Sequence, residues 1–413
     1  MIYLDNNATT RIDPQVLNYL HEVWGQLGPA NPSSQHGRGR AAKSLLDRSQ
    51  REIAAMLGAD IASTGGHQMI VTSGGTEANA MVLHGLEISA EVRQSAGFGD
   101  HHAPPLLYST IEHPSVYETA QQQQDQRFVR PLTATSAGTV DLQYLRQQLE
   151  SLRRQITPPP PAPTSDLIRR RNPLALVSIM SANNETGVIQ PVAAAAELCR
   201  EFGALLHVDA TQSVGKVPVD MSRDQIDILV AAAHKFHGPI GAGFVVMAPG
   251  VSLRPLLAGG AQQLGLRAGT EPVPLIAATR MALQIAIESM RQNESHCTAL
   301  RDRLQRHLST AIEDLVIHGA DALRLPGTLC VSMPGTDRQA MVMALDLAGI
   351  ACSSGSACSS GSSTPSHVLR AMGVPQDGVA SALRFGVSKF STIDEIDTAA
   401  DRITKCRNKL RRS

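Results

Sequence analysis

Six short apolar segments, rich in β-branched residues and bounded by turn signals, set the strongest limit on what this 413-residue chain can fold into: QMIVTSG, LLYST, LALVSIM, ALLHVDA, DILVAAA and GFVVM. Short, nearly unbroken apolar runs of this kind suit strands buried on both faces. Between them stand helix-like stretches, GGTEANAMVLHGLEI, HPSVYETAQQQQ and PVAAAAELCREFG. Parallel strands need a crossover of about a dozen residues or more, which a helix supplies, so the alternation predicts an α/β fold with a large, mainly parallel sheet. That domain is expected over residues 16–285.

The remainder has another rhythm. A helical run over 275–312 is followed by a strand (GTLCVSM), a helix (DRQAMVMALDLAG), a Ser/Gly stretch, a short helix (TPSHVLRAMG), a strand (ALRFGVS) and a terminal helix. This pattern predicts a smaller α+β domain over 286–413, joined by residues 1–15, whose leading strand needs a sheet to pair with. The basic tail KCRNKLRRS fits a final helix with cations near its C-terminus. Two insertions, 91–105 and 156–173, are polar or Pro-rich and are expected as extended, exposed loops without chemistry.

Lys plus Arg and Asp plus Glu each total 37, which leaves no global charge preference for nucleic acid or an anionic membrane. Six cysteines without CxxC or zinc-like spacing speak against a disulfide framework and for a reducing compartment. No apolar run reaches the roughly 18 residues of a membrane span, and Asp5 interrupts the N-terminus early, so the expectation is a cytoplasmic protein.

The chemistry-bearing residues fall at strand ends. VTSGGTEAN leads through Gly74, Gly75 and Thr76 into a helix start, a geometry that suits a phosphate; a Gly-rich turn capped by Thr76 fits as well. LLHVDATQS puts Asp209 and Gln212 at a buried strand's carboxyl edge, where open α/β sheets bind ligands; the alternative for Asp209 is a helix cap. In AAAHKFHGPIGAGF, Lys235 follows an apolar strand, which favours a desolvated amine and Schiff-base chemistry over a snorkelling surface lysine only if other partners converge. Phosphate loop, Asp209 and Lys235 together point to pyridoxal 5'-phosphate, whose phosphate, pyridinium nitrogen and aldehyde need three such partners. His113 in STIEHPSVYE offers a ring to stack and relay protons, or a structural helix start. Asn183 and Asn184 in SANNETGVIQP offer amides for a carboxylate, or a turn. Arg384, inside an apolar strand, needs an anion, either a substrate carboxylate or a structural partner.

These motifs, with YLDNNATT, NPSSQHGRG, TSGGTE, NNETG, HVDATQSVGK, HKFHGP, RAGTE, SSGSACSS and PSHVLRAMG, resemble the cysteine desulfurases, pyridoxal-phosphate enzymes of the class V aminotransferase fold. The likeness runs over nearly the whole chain. It implies an aspartate aminotransferase-like fold with a seven-stranded sheet, Lys235 carrying the cofactor, Asp209 on its ring nitrogen and His113 stacked on the ring. Gly75, Thr76 and His234 would hold the phosphate, Gln212 would contact the ring hydroxyl, and Asn184 and Arg384 would take the substrate carboxylate. Thr270 of RAGT would reach a neighbouring subunit's phosphate, which implies a homodimer. Cys358, in the Ser/Gly loop 352–366, would take sulfur from L-cysteine as a persulfide, leaving L-alanine, and pass it to acceptors such as an iron-sulfur scaffold protein. The alternative within the same fold is a selenocysteine lyase or another aminotransferase or lyase. Two departures stand out: Ala232 and Ala233 precede His234, where the family usually has Ser or Cys followed by Gly, and GGAQQLGL precedes RAGT.

Overall fold

A computed structural model describes residues 1–87, 103–125, 127–155, 165–355 and 364–411. Its largest element is a seven-stranded sheet built from β2 (Gln68–Thr72), β3 (Leu106–Ser109), β4 (Val129–Leu132), β5 (Leu176–Met180), β6 (Leu205–Asp209), β7 (Ile228–Ala232) and β8 (Gly243–Met247), in the order β2-β8-β7-β6-β5-β3-β4. Only β8 runs against its neighbours; because both of its pairings are antiparallel, β2 points the same way as β7. The six apolar segments therefore all lie in this sheet. The seventh strand, β4, carries Pro131 and is only partly buried, which an edge position tolerates because Pro cannot donate to a ladder.

Burial on both faces explains why the strands do not alternate. Met69, Val71, Val177, Ile179, Leu206, Val208, Leu229 and Val246 pack on one face with the helices Pro14–Leu27, Gly37–Met56 and Val192–Phe202. Their neighbours Ile70, Leu176, Leu205, Ile228, Val230 and Val245 pack on the other with the helices Gly75–Gly85 and Pro114–Gln122. A period of two thus feeds two separate apolar layers.

A second group of buried side chains, from Ile2 and Leu4 through Leu300 and Leu329 to Ile403, surrounds a three-stranded antiparallel sheet. Its strands are β9 (Val316–Ile317), β10 (Thr328–Ser332) and β12 (Ala382–Gly386), with β10 in the middle. At its side β1 (Ile2–Tyr3) pairs in parallel with β11 (Ile350–Ala351). The terminal helix Ile393–Leu410 opens with a capping box between Thr392 and Glu395 and carries Arg407 and Lys409 in its last turn.

Two expectations need correction. The helical run over 275–312 is two helices, Val273–Glu288 and Met290–Ala311, bent by 72°. The break falls at Ser289, whose Oγ donates to the carbonyl of Ile285 at 2.7 Å and competes with the backbone ladder. Residues 165–172, expected as part of an extended exposed loop, instead form the helix Asp166–Arg171. Ser165 caps it, and Arg169 is 2 % exposed because it pairs with the buried Asp227. Residues 88–102 and 156–164, the rest of the two insertions apart from 103–105 and 173, lie outside the described residues. No single helix among the described residues is long and apolar enough to cross a membrane.

Candidate active site

The parallel strands all end at one edge of the large sheet, and the residues singled out from the sequence follow those ends. Asp209 is the last residue of β6, and Lys235 closes the 3-10 turn after β7. Gly75 begins the helix after β2, His113 precedes the helix after β3, and Asn184 lies in the turn after β5.

Lys235 has few anionic neighbours to hold its charge. Its Nζ donates to the main-chain carbonyls of Asn7 and Ala8, at 2.6 and 2.7 Å, and burial with the nearby Arg384 guanidinium pulls its pKa down to about 8. A pKa lowered towards neutrality is what a nucleophilic amine requires. Beside it, burial and the charges of Lys235 and Lys216 drive His234 down to about 4. Its Nδ1 lies 3.1 Å from Thr9 Oγ1.

Asp209 is held ready to face a cation. Thr211 N–H donates to its Oδ1 at 2.9 Å and the Asn79 amide to its Oδ2 at 2.8 Å. Asn79 also donates to Ser115 Oγ at 2.9 Å, and Ser115 Oγ lies 2.8 Å from His113 Nδ1. A single relay therefore fixes both the carboxylate and the imidazole. Burial keeps His113 neutral by lowering its pKa, and its Nδ1 accepts from Ser115 N–H, capping the helix. The structural helix-start role weighed from the sequence is therefore present.

Gln212 is engaged at both ends of its amide: Nε2 donates to Asn7 O and Oε1 accepts from Lys216 Nζ, each at 2.9 Å. Arg384 likewise has a protein partner, donating to Asp5 Oδ1 at 2.8 Å and to Asn184 O at 2.9 Å. The salt bridge set against a substrate carboxylate in the sequence reading thus forms, while Arg384 Nε is buried without a partner among the described residues. Thr270 is exposed on the segment before the helix Val273–Glu288, and Arg267 of the same segment donates to Glu77, on the helix that begins at Gly75, at 2.8 Å. Cys358 lies outside the described residues. Cys352 lies against the small core with its thiol pushed up to about 12 by burial.

The open positions fit a phosphate-bearing ring. The helix at Gly75 has no side-chain cap, so its first N–H groups are available to an anion, and a Cβ on Gly75 would stand 3.2 Å from Thr211 Oγ1 and 3.7 Å from Ala232 Cβ. Thr211 Oγ1 and Asn184 Oδ1 are buried polar atoms lacking partners among the described residues. Buried groups of this kind are costly unless something satisfies them.

Several contributors were not legible from the sequence. Asn7 supplies a carbonyl to both Lys235 and Gln212, Lys216 holds Gln212, and Asn79 holds Asp209. Glu112 is fully buried, accepts from Met180 N–H at 2.6 Å, and is pushed well above the usual carboxylate range by burial and by Asp209.

The class-V aminotransferase family model matches residues 2–156 and 162–398, and the chain belongs to that family. Its similar curated relatives carry one more specific name. A cysteine desulfurase of Cereibacter sphaeroides is 37 % identical over 96 % of this chain and 93 % of its own length. A cysteine desulfurase of Nostoc sp. is 36 % identical over 100 % of this chain and 94 % of its own. Among solved structures, a NifS-like protein superposes with a TM-score of 0.81 at 31 % identity, covering 99 % of this chain and 100 % of that one.

Proposed function

We propose that this protein is a cysteine desulfurase, which converts L-cysteine to L-alanine and keeps the sulfur as a persulfide on Cys358. The observation that carries the reading is the convergence of a desolvated Lys235, a hydrogen-bonded Asp209 and an uncapped helix start at one sheet edge. Full-length similarity to cysteine desulfurases supports the same assignment. Pyridoxal 5'-phosphate is the cofactor these residues fit, and when bound it supplies an electron sink for charge left at the substrate Cα. Lys235 would hold it covalently, Asp209 its ring nitrogen, His113 its ring face, Gln212 its ring hydroxyl, and Gly75, Thr76 and His234 its phosphate.

The chain's own residues then divide the work. Asn184 and Arg384 orient the carboxylate of L-cysteine, Arg384 by exchanging or sharing its Asp5 partner. Lys235 Nζ, once free, takes the Cα proton. His113, neutral near pH 7, carries a proton to or from the substrate thiol. Cys358 Sγ bonds the substrate sulfur as the Cβ–S bond breaks; the electron pair stays with carbon, which gains a proton and leaves as alanine.

Thr270, which is exposed, is assigned from the family resemblance to the site of a second copy, and the working unit is read as a homodimer. We read the location as cytoplasmic and the acceptor as a protein thiol or iron-sulfur scaffold. The test is a pair of variants. Lys235→Ala should lose the visible absorbance of bound cofactor. Cys358→Ala should keep that absorbance but lose persulfide formation and sulfide release. Sulfide released from L-cysteine at the full rate by Cys358→Ala would refute the reading.

A further inference from the structure

The turn after β5 holds one acidic residue that the proposed chemistry leaves unused. Glu185 is 2 % exposed and sits beside Asn184 in a turn fixed from within, because Asn183 Oδ1 accepts from the N–H groups of both Glu185 and Thr186 at 2.9 Å. Its carboxylate meets the chain on either side of Cys358. Glu185 Oε2 accepts from Ser366 Oγ at 2.6 Å, and it lies so close to Gly355 that a Cβ there would stand 2.7 Å away.

Gly355 and Ser366 flank, on opposite sides, the segment that contains Cys358. One carboxylate oxygen therefore meets both stems of that segment. Each stem has a further attachment to the site. On the entry side, Ser353 O accepts from Arg384 N–H at 2.7 Å. On the exit side, Ser366 Oγ caps the helix His367–Ala371 by accepting from Leu369 N–H at 3.0 Å, and His367 Nε2 lies 2.8 Å from Glu112 O. Gly355 has φ +85°, so a glycine there meets two demands, the left-handed backbone and the close carboxylate. Burial raises the pKa of Glu185, and Ser366, His367, Arg384 and Arg338 offset part of that rise.

We propose that Glu185 is a positioning residue that ties the two stems of the Cys358 segment to the Asn183–Gly187 turn, and so to the Asn184 and Arg384 assigned to the substrate carboxylate. The inference rests on the desulfurase reading. Holding Gly355 and Ser366 on one carboxylate fixes the two points between which the Cys358 segment runs, and so sets the place from which its thiol meets the substrate sulfur. Glu185 touches neither substrate nor cofactor in this assignment and acts through Gly355 and Ser366.

The experiment compares wild-type holoenzyme with Glu185→Ala, Glu185→Gln and Ser366→Ala after rapid mixing with L-cysteine. Two signals are followed: the early change in cofactor absorbance, and the appearance of persulfide on Cys358 by trapping and peptide mass analysis. Glu185→Ala should keep the early signal within about twofold and slow persulfide formation by roughly tenfold to a hundredfold, the scale set by misplacing a reacting group by about 1 Å. Ser366→Ala should move the same step in the same direction, and Glu185→Gln, which keeps an acceptor oxygen, should recover part of the rate. The inference is overturned if persulfide formation stays within twofold of wild type in both Glu185→Ala and Ser366→Ala, or if both signals fall equally. A wild-type enzyme that places no sulfur on Cys358 would instead overturn the proposed function.

Discussion

Replacing Lys216 by Met should reverse the sign of its effect on stability between pH 6.5 and pH 10. Among the described residues Lys216 Nζ has one hydrogen-bond partner, Gln212 Oε1, and no paired carboxylate. Burial, with Lys235 and Arg384 nearby, lowers its pKa from 10.5 to about 7. The unfolded chain keeps the proton up to its ordinary pKa, whereas the folded chain releases it above about 7. Through that window the unfolded state binds more protons, so this side chain's contribution to stability rises with pH; below the window its full cost is present. At about 1.4 kcal/mol per unit the shift corresponds to roughly 4–5 kcal/mol. Lys216 is not sealed from water, so about 2 kcal/mol is the working figure after screening. Met removes that cost but also removes the donor to Gln212, a loss of about 1 kcal/mol. Lys216→Met should therefore be more stable than wild type by about 1 kcal/mol at pH 6.5 and less stable by about 1 kcal/mol at pH 10. Urea unfolding followed by circular dichroism, with cofactor removed from both proteins, measures the difference. A difference that stays constant with pH, or that favours the variant more at pH 10, would refute the reasoning.

The paired Arg169 and Asp227, each 1 % exposed at the side chain, make a second target. Asp227→Ala takes the bidentate partner from buried Arg169, leaving it the partly exposed Asp166 at 3.2 Å, and should cost about 3 kcal/mol, read as a lowered urea midpoint; an unchanged midpoint would show that the pair relaxes without cost. Ala232→Ser places a hydroxyl beside Gly75 and Thr211, so the cofactor should dialyse out more slowly, with affinity raised by roughly tenfold for one added hydrogen bond to a charged group. Weaker retention would mean that position 232 does not face the phosphate.

The large sheet was legible because strands buried on both faces leave a strong signal: QMIVT, LVSIM, LLHVD, ILVAA and GFVVM need no turn chemistry to be recognised. β4 was missed because its sequence, VRPL, is partly exposed and interrupted by Pro. The break at Ser289 was missed because neither Gly nor Pro marks it; a serine hydroxyl does. At the site, strand-end residues with distinctive side chains stood out, whereas Asn7 acts through its main-chain carbonyl, an atom every residue has. Lys216 and Asn79 were silent for another reason: each acts on a residue already assigned, and such relays become visible only when helices and strands are brought together. Arg384 shows the reverse, since the apolar strand around it predicted an anion but could not distinguish Asp5 from a ligand.

The short pairing of β1 with β11 has a consequence for the order of events during synthesis. Ile2 and Tyr3 leave the ribosome more than three hundred residues before their partners Ile350 and Ala351. A nascent chain that has already completed all seven strands of the large sheet still has no partner for Ile2 and Tyr3, and Asp5 still lacks Arg384. Because Asn7 and Ala8 supply the carbonyls that meet Lys235, the reactive lysine waits on this late closure as well. Contacts so distant in sequence form slowly, so the amine gains its final surroundings only after β11 and Arg384 have been added.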